Sequence, residues 1–503
     1  MAGWTSLVNP PPAGVSTAVL LTDGRVLCRG DDGTSAGGKR WFVLAPASNG
    51  DYTSGTWTEA APSNHARRYY SSAVLSSGAV LVAGGEESDA GADLNAAELY
   101  DPLTNRWIPL STPPGWSAIG DAPNCVLADG RLLLGSILTT ETAIFNPADL
   151  SWSAGPTKDD RSDEETWTLL PDGSVVTVEC DHHPAAERYV PAQNRWVSAG
   201  KLPVDLVQGS SSEIGPAILL PTGKVFALGA TGHTAFYLRP SDPMGAGMWV
   251  AGPDFPNDQN GVQLIAKDAP AALLPTGHVL CAVSPFAEGT GPKSYPGPSY
   301  FFEFDGVRFN LLPSPRGAAN PAYVFRFLLL PTGEALVTCG TDQVDVYKAD
   351  GLPDQSWAPS LASVPAPIAP GGTFRLSGTQ LNGLSQGASY GDDATMATNY
   401  PLVRIRPAGQ DAVIYCRTHD HDSMGVATGS KNVSTNFDVP ATTPIGPATL
   451  EVVANGIASS VRQIAVAPTA PNTGPTRARG CLPQTTLVLA AAAVAILLAT
   501  ILR

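Results

Sequence analysis

Positive charge is scarce in this sequence: 30 lysines and arginines stand against 45 aspartates and glutamates, a formal net charge of −15 over 503 residues. A protein that binds phosphate backbones nonspecifically needs a basic face, so this balance argues against nucleic acid as a partner. The seven cysteines include no Cys-x-x-Cys pair, and a zinc site built on such pairs is therefore not expected. The phosphate-binding Gly-x-x-x-x-Gly-Lys-Ser/Thr loop and the His-Glu-x-x-His motif are also absent.

Long helical patterns are missing as well. The first 470 residues show no extended amphipathic period, and charged residues are only 15% of the chain, whereas 51 glycines and 46 prolines suit short strands and tight turns. The opening MAGWTSLVNPPP has no basic stretch followed by an apolar core, so no signal peptide is predicted.

What the chain has in abundance is one repeated hairpin. Seven times an apolar run reaches a glycine turn and continues apolar, as in TAVLLTDGRVLC and FLLLPTGEALVTCG. The turn glycines are Gly24, Gly78, Gly130, Gly173, Gly223, Gly277 and Gly333. Asp-Gly or Thr-Gly in most copies supplies the positive φ that a tight hairpin needs, and the spacing is that of propeller blades. The sequence therefore predicts an all-β protein with a seven-bladed β-propeller.

A second mark follows most hairpins, a tryptophan strand that leads into proline, as in TWTEAAP, RWIPLSTPP and SWAPSLASVP. The sixth blade has Phe309 in this role, and the chain opens with such a strand around Trp4 before any hairpin has occurred. This order predicts that the N-terminal strand completes the last blade and closes the ring.

Four regions are predicted from these changes in pattern. Residues 1–360 carry the propeller, and 361–467 are alternating strands without the tryptophan mark, typical of an immunoglobulin-like sandwich. Residues 468–484 form a linker rich in proline, threonine and arginine, and 485–502 are an uninterrupted apolar run. Eighteen helical residues would extend about 27 Å, enough to cross a bilayer core, so a C-terminal transmembrane anchor is predicted. An apolar helix packed on a partner is the alternative.

The charges beside the apolar run bear on its orientation. Arg477 and Arg479 precede it, which favours a cytosolic tail anchor by the positive-inside tendency. Gly480 and Cys481 before an apolar helix that ends in Arg503 resemble a bacterial C-terminal sorting signal, which would place the protein at the cell surface. The sequence leaves both locations open.

Equivalent positions in the hairpins predict a site at one end of the central channel. Nine residues before the turn glycines lie Val15, Tyr69, Asp121, Glu164, Ile214, Asp268 and Val324. Their neighbours add Arg67, Arg68, Tyr70, Glu165, Glu213, Lys267, Tyr323 and Arg326. Inner-strand positions used only for packing should be small or apolar, so this concentration of charge indicates a binding mouth, with a merely solvated rim as the alternative. The predicted ligand-binding residues are Arg68, Tyr69, Tyr70, Asp121, Glu164, Asp268, Tyr323 and Arg326.

A seven-bladed propeller followed by an immunoglobulin-like region resembles the galactose oxidase and glyoxal oxidase family of copper-radical oxidases, over residues 1 to about 467. The resemblance implies a copper ion at the channel mouth. Its family ligands are a tyrosine cross-linked to a cysteine, an axial tyrosine with a histidine beside it, and a second histidine from a C-terminal loop.

The motif RRYYSSAVLSSG resembles the segment of the cross-linked tyrosine and implies that role for Tyr69, whereas YVFRFLLLPTG implies an axial Tyr323. The loop histidine matches His419 in YCRTHDHDSMG. The adjacent histidine is replaced by Val324, and Val15 stands where the cysteine is expected. Loss of an imidazole and of the thioether disfavours copper, which prefers nitrogen ligands.

Two function classes follow. The leading hypothesis is a membrane-anchored binding module that recognises a saccharide or a protein through its channel mouth. The alternative is an enzyme, either an alcohol or aldehyde oxidase with an altered copper site or a non-copper metal enzyme. In the latter, Asp121, Glu164 and Asp268 with His419 and His421 would suit calcium, manganese or zinc, unless the histidine loop is simply exposed. A purely structural role, in which only the outer blade edges matter, is a third possibility.

Overall fold

The computed structural model describes residues 2–34, 38–89, 93–390 and 396–468. Their regular secondary structure consists almost entirely of antiparallel strands, numbered β1 to β38 in chain order and joined by turns and loops. Four 3₁₀ helices of three residues each interrupt them: Pro191–Gln193, Pro292–Ser294, Ala322–Val324 and Gln355–Trp357. The predicted all-β class is confirmed.

Six four-stranded sheets and one six-stranded sheet form the blades, so the predicted seven-bladed propeller is confirmed. Blade one is β2 (Gly14–Leu20), β3 (Val26–Asp31), β4 (Trp41–Ala45) and β5 (Thr56–Ala60); blade two is β6 (Ser71–Val74), β7 (Val80–Ala83), β8 (Ala97–Asp101) and β9 (Arg106–Leu110). Blade three is β10 (Asn124–Val126), β11 (Leu132–Gly135), β12 (Thr142–Asn146) and β13 (Ser151–Ala154); blade four is β14 (Thr168–Leu169), β15 (Val175–Val178), β16 (Ala185–Val190) and β17 (Arg195–Lys201).

The remaining blades follow the same order except at the closure. Blade five is β18 (Ala217–Leu219), β19 (Val225–Leu228), β20 (Thr234–Leu238) and β21 (Met248–Ala251). Blade six is β23 (Pro270–Leu273), β24 (Val279–Pro285), β25 (Tyr300–Phe304) and β26 (Phe309–Leu311), with β22 (Leu264–Ile265) paired to β24. Blade seven is β27 (Arg326–Leu329), β28 (Ala335–Thr338), β29 (Asp345–Lys348) and β1 (Gly3–Ser6).

The hairpin at the centre of each blade forms as the turn chemistry predicts. All seven turn glycines have positive φ, between 80° and 89°. An L-residue adopts this region only with strain, so the glycines allow the two inner strands to reverse tightly. The strands on either side of each turn are almost wholly buried, and they supply most of the core between the blades.

The ring closes as expected. Strand β1 pairs antiparallel with β29, from Gly3 opposite Lys348 to Ser6 opposite Asp345, so Trp4 lies in the outer strand of blade seven. The tryptophan strand expected at SWAPSLASVP is wrong. Trp357 lies in a 3₁₀ helix, because the outer position of blade seven is already taken by β1.

The outer-strand tryptophans have a definite structural role. In five blades the indole N–H donates a hydrogen bond to a carbonyl oxygen at the outer strand of the preceding blade or just after it, at 2.6 to 3.2 Å. These pairs are Trp4 with Pro313, Trp57 with Asn9, Trp107 with Ala61, Trp152 with Ser111 and Trp249 with Ala199. Each tryptophan thus fixes its blade to its neighbour while its ring fills the space between them.

The strands after the propeller form one connected sheet in the order β30-β31-β35-β34-β33-β36-β37, with β38 paired to β36. They are β30 (Ser360–Ser363), β31 (Thr373–Thr379), β33 (Leu402–Pro407), β34 (Ile414–His419), β35 (Val433–Asp438), β36 (Gly446–Ala454), β37 (Ile457–Ala458) and β38 (Arg462–Val466). Residues from most of these strands share a core separate from those of the blades, so the sheet curves around it. Strand β32 (Ala388–Tyr390) leaves this sheet and pairs with the inner strand β23 of blade six.

The C-terminal sheet lies against the turn end of the propeller. The Thr418 amide donates to the Thr22 carbonyl at 3.1 Å, and the Val413 amide donates to the Ser48 carbonyl at 2.8 Å. A Cβ atom added to the turn residue Gly24 would lie 2.6 Å from the Tyr415 ring. The far end of the inner strands, where the charged positions lie, is therefore left open by this sheet.

The predicted membrane anchor requires correction. Across the described part of the chain, no helix is long and apolar enough to cross a bilayer. The helices found there are three-residue 3₁₀ turns, about 6 Å in length against the roughly 30 Å of a bilayer core. The segment 485–502, with Arg477 and Arg479, lies outside the described residues. The transmembrane helix and the membrane-anchored location, on either side of the membrane, are withdrawn.

Candidate functional site

Three of the equivalent positions at the channel mouth have an unusual backbone. Tyr69, Glu164 and Asp268 have φ of 44°, 61° and 44°. Each lies two to four residues before the inner strand of its blade. Positive φ costs a non-glycine residue of order 1 kcal/mol or more, and such residues cluster at functional sites, where the backbone aims a side chain.

A cavity of about 250 Å³ opens beside Tyr69. We name it the arginine cavity. Its lining residues are Ser16, Thr17, Arg29, Asp31, Gly33, Arg68, Tyr69, Tyr323, Val324, Arg326, Cys339 and Gly340. They come from blades one, two and seven, so the cavity forms where the first and last blades of the ring meet.

A β-bulge shapes one wall of the cavity. Along β2 and β3, Val15 pairs with Gly30 and Ala18 pairs with Cys28, so that Ser16 and Thr17 together face the single residue Arg29. All three of these facing residues line the cavity. Bulges are common beside active sites because the extra residue redirects side chains, and here the bulge brings a buried arginine and two hydroxyls to one wall.

The charge of the lining is predominantly positive, with three guanidinium groups and one carboxylate. Asp31 lies between two arginines: its Oδ2 accepts from Arg29 at 3.2 Å, and its Oδ1 from Arg68 at 3.0 Å. Arg326 is 6% exposed and donates to the carbonyl oxygens of Tyr323 and Phe325 at 2.7 and 2.9 Å. Its guanidinium also stacks 3.3 Å from the centroid of the Tyr390 ring, which β32 carries into the channel.

Two tyrosines supply the aromatic part of the lining. Burial raises the pKa of the Tyr69 hydroxyl well above its ordinary value, against the opposing effect of the nearby Arg326 charge. Tyr69 is therefore a neutral phenol at physiological pH, with a hydroxyl proton that it can donate to a ligand. The Tyr323 ring lies 4.8 Å from that of Tyr295, which belongs to the neighbouring part of the mouth.

On the other side of this tyrosine pair lies a carboxylate cluster, formed by Glu164, Glu213 and Asp268. Carboxylate oxygens of the three residues lie within 4.8 Å of one another, close enough for one cation. The Tyr295 hydroxyl contacts both Glu213 Oε1 at 2.5 Å and Asp268 Oδ2 at 2.6 Å. The Lys267 ammonium group lies 4.3 Å from the centroid of the Tyr295 ring. Protein groups therefore already occupy much of the space around these carboxylates.

Three predicted positions belong to neither the lining of the arginine cavity nor the carboxylate cluster. Tyr70 is 1% exposed and packs against Trp41 at 6.1 Å between ring centroids. Asp121 is 7% exposed and does not line the arginine cavity. Val15 is fully buried, in the bulged part of β2.

The histidines of the C-terminal region are not brought to the channel mouth. His419 ends β34, where its Nδ1 contacts Asp420 at 2.7 Å and its Nε2 contacts Asp438 at 3.2 Å. His421 is buried with Nδ1 2.8 Å from the Thr435 hydroxyl, and burial lowers its pKa to about 3. The reason is that the C-terminal sheet docks at the other end of the propeller. The amide of the residue before His419 donates a hydrogen bond to the turn of blade one, about 20 Å along the inner strand from the mouth.

The copper ion implied by the family resemblance does not fit these residues. Tyr69, Tyr323 and Val324 do line one cavity, as the resemblance implies. No histidine is among the described lining residues, and His419 lies at the opposite end of the inner strands. Two phenols with arginines beside them lack the nitrogen ligands that copper(II) prefers.

A second cavity, of about 400 Å³, lies at the turn end of blades three to five, where Gly173 and Ala128 line it. Arg188 in its wall already donates to the Ser174 hydroxyl and to two backbone carbonyls, and Arg239 pairs with Asp172 at 3.0 Å. It contains none of the predicted mouth residues, so we place the candidate site at the arginine cavity despite its smaller volume.

Sequence reasoning missed several residues of the site. Arg29 and Asp31 stand out as charges in the otherwise apolar strand VLCRGD, a signal that was available. Their approach to Ser16 depends on the bulge, which the sequence does not reveal. Tyr295 comes from the long connection between β24 and β25, where no repeat pattern marks it.

Comparison with known proteins supports the repeat. The Kelch motif family matches residues 67–114, which contain the four strands of blade two. Kelch-like protein 23 from Homo sapiens and from Pongo abelii is 40% identical over 79 residues, 16% of this chain and 13% of the relative. N-acetylneuraminate epimerase from Yersinia enterocolitica is 28% identical over 193 residues, 36% of this chain and 44% of that protein.

The alignments thus span less than half the length of these relatives. Together with the seven blades, the Kelch motif identifies a kelch-type propeller. A propeller of this type indicates a binding or scaffold module.

Proposed function

We propose that this kelch-type propeller binds a small polar ligand in the arginine cavity, either a saccharide or a side chain of a protein partner. The observation that carries the proposal is the cavity itself, with buried arginines and two tyrosines around about 250 Å³. Ligand pockets are concave, and they fix a ligand with a few polar groups among apolar or aromatic walls.

A saccharide is the ligand that we favour. Tyrosine rings offer faces on which a sugar ring stacks, and guanidinium and hydroxyl groups donate to sugar oxygens. Such a ligand also agrees with one relative, whose name is N-acetylneuraminate epimerase, although that protein is aligned over only 44% of its length. The cavity volume of about 250 Å³ is slightly below the roughly 300–1,000 Å³ typical of ligand sites, which favours one sugar unit.

We propose that the likeness to galactose oxidase extends to the domain architecture and to the location of the site at the channel mouth. Tyr69, Tyr323 and Val324 meet in one cavity, and this supports the alignment of the channel mouths. Because of the same likeness, we propose that the sheet after the propeller, from Ser360 to Val466, is an immunoglobulin-like domain. The chemistry is a different matter, because the lining fits a binding site better than a copper-radical oxidase.

The first test is a saccharide array, followed by calorimetric titration of any sugar that binds. Tyr323→Ala is expected to weaken binding at least tenfold, because it removes one aromatic wall of the cavity. Tyr300→Ala is the matched control, a tyrosine of similar partial exposure that does not line the cavity. Equal losses in the two variants would contradict the assignment of the site.

Elemental analysis after incubation with copper tests the alternative. About one tightly bound copper per chain, with peroxide release from an alcohol or an aldehyde, would replace the binding proposal with an oxidase. We expect neither copper binding nor peroxide release, because no imidazole lies in the described lining.

A further inference from the structure

We propose that the ligand of the arginine cavity carries a carboxylate, which the guanidinium groups of Arg29, Arg68 and Arg326 recognise. This inference rests on the proposed function and narrows it from saccharides in general to acidic saccharides. It depends on charge and on the direction of hydrogen-bond donors, which are independent of the aromatic walls.

The first argument is charge. The lining carries three guanidinium groups and only one carboxylate, whereas the whole chain has a net charge of −15. The cavity is thus positively charged, although the chain as a whole is acidic. Arginine remains charged at any physiological pH and presents donors in a planar fork that matches a carboxylate.

The second argument is geometry. Arg29 is 3% exposed and Arg326 is 6% exposed, so both guanidinium groups are held by the fold rather than extended into solvent. Asp31 lies between Arg29 and Arg68, which fixes their orientation. A site whose donors are already ordered loses little entropy on binding.

The third argument is hydrogen-bonding capacity. Ser16, in the bulge, is 8% exposed, and its buried hydroxyl has no partner in the described part of the protein. Arg68 Nε is likewise buried without a partner there. A buried polar atom without a partner is costly, and a bound oxyanion beside these groups would remove that cost.

A matched pair of sugars tests the inference. D-galacturonate and D-galactose differ only in a carboxylate in place of a hydroxymethyl group at C6, and both would be titrated into the full-length protein by calorimetry. We expect galacturonate to bind at least tenfold more tightly, since a charge-assisted bidentate contact replaces a neutral one. We expect Arg68→Gln to remove that preference, because it should weaken the binding of galacturonate at least tenfold more than the binding of galactose.

Arg68 is the residue to change because it is partly exposed, with 24% of its side chain accessible, so its substitution leaves the core intact. Arg131→Gln is the control, an arginine with 39% exposure that pairs with Asp129 on a turn outside the cavity lining. It should leave both affinities unchanged.

The outcomes separate the two proposals. Equal binding of both sugars would overturn the carboxylate inference and leave the saccharide proposal standing, and so would a galacturonate preference that survives Arg68→Gln. If neither sugar binds, the saccharide proposal fails for these probes, and sodium acetate decides the charge inference. Acetate should then raise the melting temperature of the unmodified protein but not of the Arg68→Gln variant, measured against matched chloride. The same response in both would overturn it.

Discussion

The arginine cavity and the carboxylate cluster lie on either side of the Tyr295–Tyr323 pair, and the repeat gives both of them residues from equivalent positions. On the acidic side, the Tyr295 hydroxyl contacts two of the carboxylates, and the positively charged Lys267 lies over the Tyr295 ring. On the basic side, charged groups surround about 250 Å³. A ring of charge is therefore not a single site: side chains of the protein contact the carboxylates in one part, and charged groups surround a ligand-sized space in the other.

The largest effect should come from the basic side, with Arg326→Met. The change removes two hydrogen bonds to carbonyls and the stacking on Tyr390, so we expect the free energy of unfolding to fall by about 3 kcal/mol. Denaturant unfolding would measure this loss. Arg68→Met is the comparison within the same cavity, with an expected loss of about 1 kcal/mol because its side chain is partly exposed. Equal losses would show that Arg326 has no special structural role.

A smaller loss is expected on the acidic side from Tyr295→Phe. The variant removes the hydroxyl that contacts both the Glu213 and the Asp268 carboxylates, which should cost about 2 kcal/mol. Tyr323→Phe is the control, since its hydroxyl has no hydrogen-bond partner in the described residues, and it should change stability by less than about 0.5 kcal/mol. If both variants were neutral, the carboxylate cluster would be held by something other than Tyr295.

The smallest effect is a change in pH dependence at Asp163, beside the carboxylate cluster. Burial raises its pKa to about 6, and the nearby carboxylates Asp181 and Glu213 add to this against the opposing charge of Arg161. The folded state thus keeps a proton that the unfolded chain loses near pH 4, and this contribution to stability is lost as pH rises from about 4 to 6.

Asp163→Asn removes that titration. The stability of the variant relative to the unmodified protein should therefore increase between pH 4 and 6, by about 1 kcal/mol once the effect of the raised pKa is discounted for the 23% exposure of the Asp163 side chain. Melting temperatures across this range would measure it. Asp258→Asn should be nearly flat between pH 4 and 6 and show the opposite slope only below about pH 4, because hydrogen bonds from the Val262 amide and its neighbours lower the pKa of Asp258. A flat difference at Asp163 would argue that its carboxylate is better solvated than its burial indicates.

The blades could be predicted because their signals are local. A glycine that must take positive φ is next to the strands that it joins, so all seven hairpins were identified from the sequence. Repetition then gave equivalent ring positions, and these predicted Arg68, Tyr69, Tyr323 and Arg326 in one place.

The rest of the site depends on contacts that no local pattern encodes. The approach of Arg29 to Ser16 needs a one-residue shift in register. The position of His419 follows from which end of the propeller the C-terminal sheet covers, and a hydrogen bond between Thr418 and Thr22 is a contact between distant parts of the chain. The family resemblance placed the tyrosines together but did not predict that docking.

The pairing of β1 with β29 has a consequence for the order in which the molecule can assemble. Strand β1 leaves the ribosome before the hairpins of the blades, yet its partner is made only after six blades have been synthesised. Until then the outer edge of β29 does not exist, and the hydrogen-bonding groups of β1 are open to wrong partners. The slow step of folding should accordingly be the capture of this strand, a contact of very high sequence separation. Early blades would fold well before the ring does, and the arginine cavity, which needs blades one, two and seven together, would be the last part of the molecule to form.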